Sequence, residues 1–179
     1  MIFSFRLILN VKNKILNCSK KAATYPFIKV YIHFVWSTKN RVPYLATKEV
    51  RQNLWQHIKE NAKTKGIFVD FVNGHSDHCH CLVSLGVDQT IQKIVQLIKG
   101  ESSFWVNKEN ILGDISSGLS PGKFEWQDEY FAVSVSESMI ETVRNYIRNQ
   151  EEHHTKKTFQ NEYEEFILKY GFEKYTDEG

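Results

Sequence analysis

"HSDHCHCLVSL", residues 75–85, sets three histidines and two cysteines within seven positions and then turns apolar. A metal knuckle would need those side chains to converge on one ion. A β-strand sends alternate side chains to opposite faces. Cys79, Cys81, Val83 and Leu85 then share one face, and His78, His80, Leu82 and Ser84 the other. Four ligand-type residues on a regular strand cannot reach a common ion, and no second Cys/His pair at zinc-site spacing follows. The strand reading wins, and the two cysteines become small core hydrophobes. They lie too close along the strand to bridge each other. With Cys18 as the third cysteine, a disulfide framework is not expected, and a reducing, cytoplasmic setting is.

Working outward, "FIKVYIHFVW" (27–36) alternates as a strand, with Ile28, Val30, Ile32, Phe34 and Trp36 on one face and Lys29, Tyr31, His33 and Val35 on the other. "TKEVRQNLWQHIKENAKTKG" (47–66) reads as a helix capped by Thr47, striped by Val50, Leu54 and Ile58 and ended by Gly66. "IFVDFVNG" (67–74) is a second strand that turns at Gly74 into the histidine strand. "DQTIQKIVQLIKGESSFWVN" (88–107) is a second helix with Ile91, Ile94, Val95 and Ile98 at helical spacing. A long connection (108–129) leads to "YFAVSVS" (130–136), whose Phe131, Val133 and Val135 are taken as the side facing the helices. "ESMIETVRNYIRNQEEHH" (137–154) is a third helix, capped by Ser136 or by Ser138 with Glu141, and "EYEEFILKYG" (162–171) a last short one.

Strand, helix, strand, strand, helix, strand is the split βαβ order. The expected fold is α+β and ferredoxin-like: a four-stranded antiparallel sheet with two helices on one face. The other face bears His78 and His80 and is left for the third helix, a ligand or another chain. Residues 25–179 are read as one domain, and residues 1–24 as an N-terminal extension expected to be poorly ordered.

Composition fits an ordinary globular chain, 41% hydrophobic and 25% charged, and no apolar run approaches the roughly 20 residues of a membrane span. The net charge of +2 points to no partner, but its distribution is uneven. Residues 1–30 carry six basic groups and no acid, residues 38–66 carry seven against Glu49 and Glu60, and the tail from Phe159 is acidic. Such asymmetry can focus a positive field on one side, although charge of this kind is more often a solvated surface.

Two strand histidines alone are most often inert surface side chains. The third helix weighs against that here, because at about 100° per residue Met139, Val143, Tyr146 and Gln150 fall in one narrow arc. A glutamine on a core-facing stripe needs partners if it is buried, and Tyr146 projects one turn before it.

His78-Cys79-His80 together with "VRNYIRNQEEHH" (143–154) resembles the tyrosine HUH transposases of small insertion sequences that move as single-stranded DNA. "HFVWSTKNRVPYL" (33–45), "KGESSFWVN" (99–107) and "WQDEYFAVSVS" (126–136) are similar to flanking segments of that family, so the likeness runs from about Tyr25 to Phe172. The chain departs from the family pattern at Cys79, usually Val or Ile, and at Glu129, where a glycine often precedes the tyrosine.

The resemblance implies that His78, His80 and Gln150 hold one Mg²⁺ or Mn²⁺, imidazole suiting Mn²⁺ better. It implies that Tyr146 attacks a phosphodiester to give a 5′-phosphotyrosine and a free 3′-OH, a bond exchange that needs no ATP for rejoining. The implied substrate is single-stranded DNA with hairpin ends. The implied assembly is a homodimer, with Tyr146 and Gln150 completing the site in trans or in cis. Lys39, Arg41, Lys93, Lys99 and Lys108 are candidate phosphate contacts, and Tyr31, Trp36 and Trp105 candidate stacking surfaces, although the strand face of Trp36 favours core packing. His75, His153 and His154 are read as surface or supporting residues.

Three rival readings stand beside this one. An RNA-recognition-type module has the same strand order but would want exposed aromatics on the central strands, where this chain has His78, His80 and Ser84. A relaxase-type nickase would place its tyrosine before the histidine motif. A domesticated HUH nuclease acting on chromosomal palindromes would have the same residues.

Overall fold

The computed structural model describes residues 27–113 and 123–172. The proposed N-terminal extension, Cys18 and the middle of the 108–129 connection lie outside these residues. The strands are β1 (Tyr31–Ser37), β2 (Phe68–Gly74), β3 (His78–Ser84) and β4 (Phe131–Val135). The helices are α1 (Lys48–Thr64), α2 (Ile91–Lys108), α3 (Ile140–Arg148), α4 (Gln150–His153) and α5 (Phe159–Tyr170). Single 3₁₀ turns occupy Lys39–Arg41 and Glu137–Met139. The sheet order is β2-β3-β1-β4 with every neighbouring pair antiparallel, the ferredoxin-like arrangement expected from the element order.

Helix boundaries follow local chemistry. The Thr47 and Thr90 hydroxyls accept the backbone N–H of Val50 and Lys93, satisfying donors that the first turns of α1 and α2 would leave unpaired. The β2–β3 turn is tight enough that a Cβ at Gly74 would collide with the carbonyl of His78.

One sheet face is a continuous apolar core. Phe34, Trp36, Cys79, Cys81 and Val83 meet Val50, Leu54, Trp55 and Ile58 of α1 and Ile94, Val95, Ile98 and Val106 of α2. Leu54 and Phe34 are fully buried, and each such side chain contributes roughly 1.5–3 kcal/mol on leaving water. Burial pushes the Cys79 thiol well up and the Cys81 thiol up to about 12, so both stay protonated and act as hydrophobes.

The opposite face is covered as well, by α3 and α5, and there a sequence expectation fails. Phe131 and Val133 were expected to face α1 and α2. Pairing of Phe34 with Ala132 and Val35 with Phe131 turns them to the histidine side, where they pack with Val35, Phe159 and Phe166. Ala132 is the β4 residue that joins the two-helix core. Both faces have an apolar cover, so hydrophobicity could not choose between them, and register did. No helix among the described residues is long and apolar enough to cross a membrane.

Candidate active site

The site lies where β3 passes beneath the C-terminal segment. His78 and His80 are fully buried on the face away from α1 and α2. Each has its Nδ1 engaged: His78 Nδ1 lies 2.8 Å from Asp77 Oδ1, and His80 Nδ1 lies 3.2 Å from Nε2 of His33 on β1. With Nδ1 as the protonated nitrogen, both imidazoles turn an unprotonated Nε2 into the same space. Phe159 stacks flat on the His78 ring, with centroids 4.2 Å apart and planes at 4°.

The tyrosine helix is shorter than the sequence pattern predicts. α3 ends at Arg148, Asn149 leaves helical geometry (φ −95°, ψ 19°), and Gln150 opens the separate α4. The expected stripe of Met139, Val143, Tyr146 and Gln150 is therefore not one core face. Met139 is exposed, Tyr146 half-buried, and Ile140, Ile147 and Gln150 are the buried positions. Neither expected cap forms: Ser136 and Ser138 bond each other at 3.2 Å, and α3 starts after Met139 without a side-chain cap.

The break is fixed from β2. Asn73 Nδ2 donates to the carbonyls of Ile147 (2.9 Å) and Arg148 (3.0 Å), pairing acceptors that the helix end exposes. Arg144 is clamped to Asp70 at 2.8 Å. α4 is anchored from α1, where buried Arg51 donates to the Leu45 and Ala46 carbonyls and to Glu151 at 3.1 Å.

These anchors bring the expected residues together within a single chain. Gln150 is fully buried, its Oε1 3.5 Å from His78 Nε2 and 3.0 Å from His154 Nε2. The Tyr146 ring stands edge-on to His80, with centroids 5.5 Å apart.

Sequence reasoning missed the residue that joins them. Glu162 of α5 is 2% exposed. Its Oε1 accepts a hydrogen bond from the Tyr146 hydroxyl and lies 3.2 Å from His80 Nε2, while its Oε2 lies 3.1 Å from His154 Nε2. A signal existed: Phe159, Glu162 and Phe166 make up the buried stripe of α5, so the carboxylate interrupts an apolar face as Gln150 does on its own segment. His154, read as a surface or supporting residue, is buried against Gln150 and Glu162.

The donor set fits a divalent cation. His78, His80 and Glu162 each offer a ligand atom within 4.8 Å of the others. His80 Nε2 and Glu162 Oε2 are buried with no well-formed hydrogen bond, despite neighbours at 3.1–3.2 Å. Unpaired buried polar atoms are costly unless something else satisfies them.

Electrostatics point the same way. Burial, then His78 and the other nearby histidines, holds His80 well below the usual imidazole range. His154 is lowered to about 4 by burial and by His78. Burial raises Glu162 to about 7, against the opposing pull of His78. Each group is driven toward its neutral form, the state a dry pocket favours before a cation supplies charge.

The candidate phosphate contacts are more dispersed. Lys93 is exposed, and Lys108 pairs with Glu109 at 3.3 Å. Lys39 pairs with Asp128 at 3.3 Å, and Lys99 donates to the Gln127 and Asp128 carbonyls. Arg41 bonds Gln160 and lies over the Phe159 and Tyr163 rings. Of the candidate stacking surfaces, Trp36 is in the core and Trp105 stacks on His57.

A family model described as "Transposase IS200 like" matches residues 27–150. The chain belongs to that family. The matched span of this IS200-like transposase includes His78, His80, Tyr146 and Gln150 and stops before α5, so Glu162 lies beyond it. Among solved structures, the transposase is similar to a candidate transposase from Deinococcus radiodurans R1, with 26% identity, a TM-score of 0.52 and coverage of 73% of this chain and 97% of the other. A REP-associated tyrosine transposase bound to a REP hairpin is also similar, with 16% identity, a TM-score of 0.49 and coverage of 73% and 71%. No curated protein sequence matches the chain.

Proposed function

We propose that this transposase cuts and rejoins single-stranded DNA through a covalent bond to Tyr146, with His78, His80, Gln150 and Glu162 enclosing one Mn²⁺ or Mg²⁺. The observation that carries this reading is the shared carboxylate: Glu162 Oε1 contacts both the Tyr146 hydroxyl and the Nε2 edge of His80. Nucleophile and donor set thus meet at one atom.

The bound ion would supply Lewis acidity toward the scissile phosphate. The protein's residues do the rest. Asp77 and His33 fix the two imidazoles with Nε2 inward. Glu162 orients the phenol by accepting its hydrogen bond, and a phenol ordinarily titrates near 10, so its proton passes to the Glu162 carboxylate as the attack proceeds. Tyr146 Oη forms the new bond to phosphorus while the bond from phosphorus to the 3′ oxygen breaks and that oxygen takes up a proton. One phosphoester replaces another, so the reverse attack by a 3′-OH rejoins the strand. Because the phenol and the imidazoles already meet inside one chain, we infer that the site is complete in cis. A homodimer, if it forms, would then serve to bring two DNA ends together. The proposed substrates are strand ends folded into hairpins.

The test is to incubate the protein with Mn²⁺ and single-stranded DNA from the ends flanking its gene and to look for a protein–DNA adduct stable to denaturation. Tyr146→Phe should abolish the adduct and leave DNA binding nearly intact. An undiminished adduct in that variant removes Tyr146 as nucleophile.

A further inference from the structure

A recess outside the histidine cluster is lined in part by Phe159, the ring that stacks on His78. It has a volume of about 490 Å³, within the roughly 300–1,000 Å³ of small-ligand clefts. It opens between the end of β1, the Lys39–Arg41 turn, the approach to β4 and α5.

Two features set it apart from an accidental surface dent. The first is its aromatic wall. Phe159 and Tyr163 present rings to the recess, and the Arg41 guanidinium lies 5.3 Å and 4.9 Å from their centroids. Phe159 also stacks on His78, so one side chain lines the recess and packs on the imidazole pair. The second is backbone strain. Asn40 (φ 54°) and Arg41 (φ 55°) are successive non-glycine residues in the left-handed region, which L-residues avoid. The turn is held there by its surroundings: Lys39 N donates to Glu125 O (2.8 Å), Asn40 N to Gln127 Oε1 (3.2 Å) and Arg41 N to Thr38 O (3.0 Å). Strain maintained in this way concentrates at ligand sites.

The polar rim narrows the ligand. Asn40 and Gln127 offer amide groups, and Glu129 offers a carboxylate whose Oε2 accepts from Gln127 Nε2 at 2.6 Å. A carboxylate at the rim repels phosphate and favours an amino donor. Flat walls with an edge of hydrogen-bonding groups suit a planar heterocycle.

We propose that this recess binds one unpaired nucleobase bearing an exocyclic amino group (adenine, cytosine or guanine) next to the scissile phosphate, with Glu129 as the acceptor that selects it against thymine. The inference rests on the strand-cutting reading above and adds a base preference to it.

The test uses the full chain and short single-stranded oligonucleotides carrying each of the four bases at each position flanking the cut. Adduct formation with Mn²⁺ is measured alongside binding in EDTA by fluorescence anisotropy. One flanking position should favour bases with an exocyclic amino group over thymine by roughly 5- to 150-fold. Glu129→Ala, which removes the acceptor, should erase that discrimination. Tyr163→Leu should weaken binding of the preferred base while leaving an abasic oligonucleotide unaffected. Equal use of all four bases by the wild type overturns the proposal, as does a discrimination against thymine that survives Glu129→Ala. If the wild type forms no adduct at all, the strand-cutting reading fails instead, and the anisotropy arm alone decides the recess: discrimination against thymine that is lost in Glu129→Ala supports it, and indifferent binding ends it.

Discussion

The two faces of the sheet are built on opposite principles. Toward α1 and α2, every β3 side chain is apolar or behaves so, and the interior is closed by Phe34, Trp36, Leu54 and Ile94. Toward α3, α4 and α5, the same strand buries His78 and His80 against Gln150 and Glu162. Burying one unpaired polar group costs roughly 1–3 kcal/mol, and His80 Nε2 and Glu162 Oε2 are left in that condition. One face stabilises the fold, and the other uses part of that stability to hold groups in states they would not adopt in water. Removing a side chain from each face should therefore have different consequences.

On the apolar face, Phe34→Ala should lower unfolding stability by about 3–5 kcal/mol, measured by denaturant melts, while molecules that remain folded still form the DNA adduct. On the polar face, His80→Ala should leave the fold intact and reduce adduct formation with Mn²⁺ by roughly 100-fold or more, since losing even an outer partner of a metal ligand typically costs 10–100-fold. If the two variants exchanged phenotypes, the division of labour would be wrong.

Glu162 sharpens the contrast through pH. Its carboxyl titrates near 7 in the folded chain, raised by burial above the ordinary value of about 4.5. The folded state therefore binds this proton more tightly than the unfolded one. In metal-free protein its contribution is fully present below about pH 4.5 and is lost as pH rises through 7, a change on the order of 3 kcal/mol. Glu162→Gln has no such titration, so its stability relative to wild type in EDTA should rise from pH 5 to pH 8. Added Mn²⁺ should remove the advantage by stabilising the ionised wild-type carboxylate. A difference that does not change with pH would mean that Glu162 is not the group being forced neutral.

The smallest expected signal is an absence. Mixing Tyr146→Phe chains with His78→Ala chains should restore no adduct if each chain completes its own site. Recovered activity would show the tyrosine serving a partner's histidines.

The sequence makes the apolar face legible because its signals are local and periodic. Alternation placed Cys79 and Cys81 inward, and Thr47 and Gly66 bounded α1. The polar face was legible in part: Gln150 and Tyr146 stood out as chemistry on an otherwise apolar pattern. What escaped depended on tertiary contacts. The helix break at Asn149 is set by Asn73, 76 positions earlier in the chain, and no propensity at Asn149 demands it. The orientation of β4 turned on register with β1. Glu162 was hidden in an acidic tail that read as solvated charge, although its spacing between Phe159 and Phe166 marked it as inward-facing.

The central claim is that imidazoles from the sheet and groups from the C-terminal segment share one cation. The most direct measurement is anomalous diffraction at the manganese edge from crystals soaked in Mn²⁺. One strong peak is expected at bonding distance from His78 Nε2 and His80 Nε2, with a Gln150 or Glu162 oxygen completing the shell. A peak elsewhere, or none at concentrations that support adduct formation, would contradict it.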